Sequence, residues 1–354
     1  MMDDSTAELP FVSVLIPVRN EASCLADCLK TILSQDYPAS CMEVLIAEGM
    51  STDGTRDVVN EYCRRDRRVR LIENPQGIVS TGLNAAIGAA RGRLVIRMDA
   101  HTAYAPDYIQ QCVTVWRETG ADNVGGPWVA RGEGYISQAI AAAFQSPFAV
   151  GGARGHDPRH EGPVDTVYLG CWPKEVFARV GGFDEELVRN QDDEFNLRLT
   201  RAGGRIWQSP RIRSWYRPRG SLPALFRQYA QYGYWKVRVI QKHKLPASVR
   251  HLVPALFIAI LLLLTLAAPW WRPALWAWVG LASTYLLSAV AASFLTCRKA
   301  EWKLFAVMPL VFACYHFGYG WGFLRGIWDW VVRRKRPATA FTRLTRPVRA
   351  NEAV

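Results

Sequence analysis

Asp99 and His101 stand two residues apart in the segment MDAH. On an extended strand end, side chains at i and i+2 point the same way, so this carboxylate and imidazole can share one divalent ion. Mg2+ prefers oxygen ligands and Mn2+ accepts a nitrogen more readily, so the histidine tilts the choice toward Mn2+. The same two residues also fit an unligated pair in which Asp99 caps a turn. Glu48 is a second acid at a strand end, ahead of Gly49 and the turn STDGT. A carboxylate there can accept hydrogen bonds from a uracil N–H or a ribose hydroxyl, whereas Asp53 suits stabilisation of its own turn. Arg19 and Glu21 follow Pro17. Arg19 is suited to a phosphate, and Glu21 either to the same site or to the first turn of a helix. In QDDEFNLRL, Asp192, Asp193 and Glu194 fall at a helix start. They are either a solvated acidic cap or, if the loop brings one to the metal, the source of a base for an acceptor hydroxyl. Arg198 is spaced to pair with these acids and orient them.

Positioning such groups falls to a repeating pattern. FVSVLIP (Phe11 to Pro17), EVLIAEG (Glu43 to Gly49), VRLIEN and RLVIRMD are short, apolar and β-branched, which predicts four buried strands. Between them, Glu21 to Ser34, a stretch opening near Thr55, and Ser80 to Ala90 read as helices. Thr55 is placed to cap its helix and Asp57 to face the positive end. Strands alternating with helices predict an α/β domain with a mostly parallel sheet covered on both faces. Ligands of such sheets gather outside the carboxyl ends of the strands, where Pro17, Glu48 and the Asp99–His101 pair all fall. Beyond His101 the expected order is a helix over Pro106 to Glu118, a strand in NVGGPWVA and a helix over Tyr135 to Phe144. A glycine-rich loop (VGGARGHDPRHEGP), a strand (VDTVYLG), a helix over Asp192 to Ala202 and a last strand (RIWQSP) follow.

The remainder of the chain is different in kind. Leu222 to Ile240 carries Phe226, Tyr229, Tyr234 and Trp235 among Arg227, Lys236 and Arg238, a pattern suited to lying in a membrane interface or to an ordinary surface helix. His251 to Ala268 and Leu275 to Phe294 each meet the length of about 20 apolar residues that spanning needs. The PWWRP turn between them supplies tryptophans for an interfacial belt. A third apolar run begins near Lys303, and Pro309, His316, Gly318, Gly320 and Gly322 interrupt it. A full third span would carry RRKRP outside, against the positive-inside rule, so the run either spans or, as that rule favours, re-enters.

The formal net charge of +12 comes without zinc-finger spacing or an aromatic ribonucleoprotein signature, which excludes nucleic acid as the expected partner. Anionic lipid headgroups and a pyrophosphate-bearing substrate account for it. The 8 cysteines are scattered and expected to be reduced. The start MMDDSTAELP lacks a basic and an apolar region, so the water-soluble part is expected to stay in the cytoplasm.

VSVLIPVRNE, AEGMSTDGT, PQGIVSTGLNAAI, IRMDAH, VGGFDE and QDDEFNLRL, in that order, resemble a family 2 glycosyltransferase. Within the family the likeness is to the membrane-bound succinoglycan-biosynthesis glucosyltransferase type. The resemblance implies a GT-A fold with a mixed, mostly parallel sheet, a UDP-sugar donor and inversion by direct displacement. It places nucleotide binding on Pro17, Arg19, Asn20 and Glu21 and base contact on Glu48. The family's Asp-x-Asp metal motif falls on Asp99 and His101, as Asp-Ala-His does in the succinoglycan-like branch, for Mn2+ or Mg2+. The family's Glu-Asp pair falls on Gln191 and Asp192, which makes Asp192 the general base and Asp193 the alternative.

These implications predict a GT-A catalytic domain over 1–220, an amphipathic interfacial region over 221–250, a transmembrane region over 251–325 and a basic tail over 326–354. The expected setting is a bacterial inner membrane, multi-pass, with the catalytic domain facing the cytoplasm. The expected act is transfer of one sugar, glucose from UDP-glucose, to a polyprenyl-diphosphate-linked saccharide, the chain acting alone, as a homo-oligomer or in a biosynthetic complex. RQYAQYGYW stands where processive synthases carry Gln-x-x-Arg-Trp, which favours single addition over a processive polysaccharide synthase. A catalytically inactive nucleotide-binding scaffold is the third reading.

Overall fold

The computed structural model describes residues 9–246 and 248–334. The acidic start (1–8) and residues 335–354 of the expected basic tail lie outside the described residues. In chain order the elements begin with β1 (Val12–Val18), α1 (Ala22–Leu33), β2 (Met42–Glu48), α2 (Thr55–Arg65), β3 (Val69–Glu73), α3 (Val79–Ala89), β4 (Leu94–Arg97) and β5 (Thr102–Tyr104). They continue with α4 (Tyr108–Thr119), β6 (Asn123–Gly126), α5 (Tyr135–Phe144), α6 (Pro147–Val150), β7 (Gly162–Pro163), β8 (Tyr168–Pro173), α7 (Glu175–Val180), α8 (Gln191–Arg201), β9 (Ile206–Gln208) and β10 (Ser214–Tyr216). Four helices follow: α9 (Leu222–His243), α10 (Val253–Ala267), α11 (Arg272–Lys299) and α12 (Met308–Gly326), the last running into a π-helical turn at Ile327–Val332. Of the described residues, 9–128 and 157–216 form one compact unit, and 129–156 and 217–334 form another.

The first unit is built on a sheet ordered β3-β2-β1-β4-β8-β6-β9-β7, with β5 and β10 in a separate pair. β3, β2, β1 and β4 run parallel, and β8 enters antiparallel between β4 and β6. The expected mixed, mostly parallel sheet is the one found. Both faces of its centre are covered, which is why Val14, Ile16 and Val44 on one face and Leu15 and Leu45 on the other are buried and why these strands read as continuous apolar runs. On α1, Leu25, Leu29 and Ile32 fall on one buried face, as their spacing predicts.

Pro17 has a local task. The ladder between β1 and β4 ends at Leu15↔Arg97, with the Met98 N–H donating to the Leu15 carbonyl at 2.9 Å. The next rung of a parallel ladder would need the N–H of residue 17, which proline lacks. Pairing therefore stops, and residues 98–101 are released from the sheet.

Three expectations are corrected in this unit. Thr55 does not cap α2: Gly54 takes the cap position with φ 87°, and the Thr55 hydroxyl accepts from the Glu21 N–H at 2.8 Å. The strand expected in VDTVYLG lies further along, because Leu169 and Gly170 take positive φ and the register against β6 shifts there. Its ladder with β4 is made by Cys171, Trp172 and Pro173. RIWQSP does contain β9 but is not the last strand, since β10 follows.

In the second unit, α9 and α12 pack along a glycine seam. Gly318, Gly322 and Gly326 recur every fourth residue on α12, and a Cβ at Gly322 would collide with the Ala230 carbonyl of α9. Small residues at this spacing let two backbones approach closely. Pro309 sits in the first turn of α12, where a missing N–H costs nothing. These residues interrupt the apolar run, which is not among the segments apolar enough to span, but they do not interrupt the helix, since α12 is continuous. Tyr234 and Trp235, expected at a bilayer surface, are instead buried against Trp330 at ring separations of 5.4 and 5.6 Å.

Two helical segments among the described residues, Val249–Ala267 and Arg272–Lys299, are long and apolar enough to cross a membrane, with mean hydropathies of 2.2 and 1.6. Only 11% of each apolar window is buried, so neither serves as the core helix of a water-soluble unit.

Candidate active site

The loops after β1, β2 and β3 converge at the carboxyl edge of the sheet. Asn20 and Met50 both take positive φ there. The Asn20 side-chain oxygen accepts from Thr52 N–H at 2.9 Å, and Asn20 N–H donates to the Ser51 hydroxyl at 3.0 Å. Asp53 holds its own turn through Thr55, as expected, and also accepts from Ala22 N–H at 3.2 Å at the head of α1. Arg19 donates from Nη1 to the Gly77 carbonyl at 3.0 Å. Gly77 has φ +66°, and a Cβ there would collide with the Arg19 guanidinium, so glycine is required for this placement.

Glu48 is turned inward. It is fully buried, its Oε1 accepts from Ser51 N–H at 2.7 Å, and its Oε2 accepts from Arg56 Nη1 at 3.1 Å. Arg56 also donates to Glu73, which lies beside Glu48 in the β2–β3 register. Two acids on adjacent strand ends would repel, and the guanidinium neutralises both. Glu48 thus orders the β2–α2 turn through these bonds.

Asp99 and His101 lie in the turn between β4 and β5, just past the strand that was expected to carry them. The Asp99 carbonyl accepts from Thr102 N–H at 3.2 Å and from the Tyr104 hydroxyl at 3.0 Å, which closes the turn. His101 Nε2 comes to 4.0 Å from Asp99 Oδ2, while its Nδ1 lies 3.3 Å from Glu21 Oε1. Glu21 is the residue preceding α1, but its side chain makes no capping bond and turns to His101 instead. Beyond His101 stands an aromatic wall. The Tyr216 ring is 6.2 Å from the imidazole, and Trp128 stacks on Tyr168 at 5.1 Å.

A residue not singled out in the sequence completes the group. Arg97 donates from Nε to Asp99 Oδ1 at 2.8 Å, from Nη2 to Asp99 Oδ2 at 3.0 Å and from Nη1 to Asp192 Oδ1 at 2.5 Å. Its side chain is 7% exposed. Burial works against its charge, but Asp192 and Asp99 outweigh that and hold the guanidinium firmly protonated. The available signal was a lone arginine in an otherwise apolar strand, two residues before Asp99 and so on the same face.

Helix register explains why Asp192 arrives here. Asp192, Phe195 and Leu199 share one face of α8. Phe195 and Leu199 join the core around Val95 of β4, and Val95 precedes Arg97 by two residues. Asp193 lies about 100° round the helix and so is not aimed at Arg97. Arg198 does not orient Asp192: it pairs with Glu194 at 2.8 Å and donates to the Gly182 carbonyl at 2.7 Å. The Asp192 carboxyl is pushed up to about 6, chiefly by burial, with Arg97 opposing and the charges of Asp99 and Asp193 adding. Solvent reaches 44% of that side chain and moderates the rise.

Among the described residues, no group of three or more His, Cys, Asp or Glu side chains could hold a metal ion. Asp99 and His101 offer two donors. Such a pair fits an ion that takes its remaining ligands from substrate phosphates, the common arrangement for Mg2+ at nucleotide sites. Arg97 leaves each Asp99 oxygen with further acceptor capacity. The residues fit a divalent ion in company with a diphosphate and do not form a cage for a free one.

The sheet and helices define a GT-A-like fold. They resemble, over 91% of this chain and 88% of the other, the mannosyltransferase PcManGT from Pyrobaculum calidifontis in complex with GDP-Man and Mn2+, with a TM-score of 0.58 and 20% identity, a likeness that speaks for the fold alone. The model of Glycosyl transferase family 2 matches residues 13–151. The succinoglycan biosynthesis protein ExoA of Rhizobium meliloti (strain 1021) is 32% identical over 252 residues, which are 68% of this chain and 73% of that protein. A dolichyl N-acetyl-alpha-D-glucosaminyl phosphate 3-beta-D-2,3-diacetamido-2,3-dideoxy-beta-D-glucuronosyltransferase of Methanococcus voltae is 24% identical over 325 residues, 90% of this chain and 97% of that one. The chain belongs to glycosyl transferase family 2 and is a glycosyltransferase of polysaccharide or glycan biosynthesis.

Proposed function

We propose that the chain transfers one glucose from UDP-glucose to a polyprenyl-diphosphate-linked saccharide, with inversion, in the synthesis of an exopolysaccharide or cell-envelope glycan. The observation that carries this reading is Asp192 on α8 standing over the Arg97–Asp99 pair, with His101 beside it, at the carboxyl edge of the sheet. Arg97 engages Oδ1 of Asp192, so Oδ2 takes the proton of the acceptor hydroxyl. The acceptor oxygen bonds to the anomeric carbon as the bond from that carbon to the diphosphate breaks, and UDP leaves with the electron pair. Mn2+ or Mg2+ on Asp99 and His101 would offset the charge developing on the leaving diphosphate. Arg19, pinned to Gly77, adds donors for a phosphate at the end of β1.

In this reading residues 1–220 are the catalytic domain, 251–325 are embedded in a bacterial inner membrane, and 326–354 are a basic tail. The catalytic part faces the cytoplasm, and the basic residues meet anionic lipids. The relative's part in succinoglycan biosynthesis supports the product class, and PcManGT was solved with the kind of pairing proposed here, a nucleotide sugar and Mn2+.

The test is transfer by the membrane fraction, using a panel of labelled nucleotide sugars and a polyprenyl-diphosphate-linked acceptor. Label from UDP-glucose should enter a lipid-linked product extended by one β-linked sugar, and a chelator should stop it. Long products would favour the processive synthase. Absence of transfer from every donor would remove the enzymatic reading of the site.

A further inference from the structure

Arg97 is the only charged residue of β4, a strand whose residues are all buried. Burying a guanidinium among apolar neighbours is expensive, and replacing such ionic groups by apolar ones often leaves stability unchanged or improved. Stability alone is therefore a poor account of it. Its bonds suggest a better one. The planar fork lies on both oxygens of Asp99 at 2.8 and 3.0 Å, and its remaining nitrogen reaches Asp192 on a helix 95 residues away in sequence. β4 is flanked by β1 and β8, so the base of this side chain has little freedom.

We propose that Arg97 is a positioning residue that fixes the base Asp192 relative to Asp99, and so aligns the acceptor hydroxyl with the donor's anomeric carbon. The inference rests on the transferase reading above. A guanidinium can bond two carboxylates in one plane, whereas an ammonium is a point charge without that geometry. Arg97→Lys therefore keeps the charge and loses the alignment. Misplacement of a reacting group by about 1 Å costs on the order of 100-fold in rate.

The experiment compares full-length wild type, Arg97→Lys, Arg97→Met and Asp192→Asn in detergent. It measures transfer kinetics, calorimetric binding of UDP with Mn2+, and melting temperature. Arg97→Lys is expected to lower kcat by about 100-fold while the donor KM and the UDP–Mn2+ affinity stay within about threefold. In the Asp192→Asn background, Arg97→Lys should add little further loss, because the two residues act as a unit. An unchanged kcat in Arg97→Lys overturns the proposal, as does loss of UDP–Mn2+ affinity in step with kcat, which would confine Arg97 to the donor side. If both Arg97 variants lose kcat, affinity and melting temperature together, the residue is structural and the proposal also falls. Failure of the underlying reading looks different: wild type that binds no UDP–Mn2+, or Asp192→Asn that turns over normally, whatever Arg97 does.

Discussion

Asp192 and Asp193 are adjacent acids with different prospects, and the difference is one of direction. Asp192 shares a helix face with Phe195 and Leu199, which are fully buried, so it meets Arg97, while Asp193 is rotated away. Asp192→Asn is expected to reduce transfer by about 100-fold to 10,000-fold, and Asp193→Asn by no more than a few-fold. Equal losses in the two variants would remove the assignment. The pH dependence follows from the same placement. A base works only when ionised, and this carboxyl is raised to about 6, chiefly by burial. The transfer rate should therefore fall by roughly tenfold per unit as pH drops through a value above the ordinary carboxylate range and no higher than about 6, since solvent moderates the rise, and level off above it. A rate profile flat down to about pH 4, the ordinary carboxylate range, would show that this group is not the base. Gly77 offers a third test. Gly77→Ala places a methyl against Arg19 at a φ of +66°, so the guanidinium must move. The donor KM should rise about tenfold with kcat little changed, as expected for loss of a charge-assisted hydrogen bond to a phosphate. An unaltered KM would mean that Arg19 does not meet the donor.

The elements that the sequence reveals and those it hides divide on physical grounds. β1 to β4 are legible because strands covered on both faces are apolar without interruption, and Pro17, Glu48 and Asp99 are legible as polar exceptions at their ends. β8 is only half legible: its start lies inside VDTVYLG, but positive φ at Leu169 and Gly170 and a register shift carry its pairing with β4 further along. The seam on α12 is not legible, because glycine weakens a helix in water and yet serves as a contact surface between closely packed helices. Arg97 is only half legible, since a single charge in an apolar run marks it as unusual but its role shows only when its partner arrives from α8. At the other edge of the sheet, Glu43 shows what a structural acid looks like. It accepts from the Ser13 hydroxyl and Arg91 N–H, both at 2.8 Å, and from Arg70 Nη1 at 2.9 Å. Burial pushes its carboxyl up, but the bonds from Arg91, Ser13 and Arg70 outweigh that and hold it below the ordinary value. A depressed carboxyl contributes stability above the unfolded value of about 4.3, and that stability is lost as pH falls through the folded value. Glu43→Gln should cost about 1–3 kcal/mol at neutral pH, and its melting temperature should decline less steeply below about pH 4 than that of wild type. Parallel melting curves would sink this account.

At the scale of the molecule, the exposed apolar surface is concentrated in one part of the chain. Leu263, Leu266, Trp270, Trp276 and Leu287 are each more than half exposed, and all lie between 249 and 302. Soluble proteins rarely leave contiguous apolar patches beyond a few hundred Å2 open to water, and burial is worth roughly 25 cal/mol per Å2. Helices with this much uncovered apolar surface gain most by entering a bilayer. Their flanks agree with that solution, since Arg272 opens α11 and Arg298 and Lys299 close it, with Trp270 and Trp271 at the preceding turn. An amphipathic surface helix would instead be held by headgroup charge and released by salt or alkali. The two cases separate in one experiment. Membranes containing the full chain are washed first with high salt and then with alkaline carbonate, and the pellet is extracted with detergent. The chain should remain in the pellet through both washes and dissolve only in detergent. Release by carbonate would mean that α10 and α11 do not cross the bilayer, and another partner for their apolar faces would then have to be found.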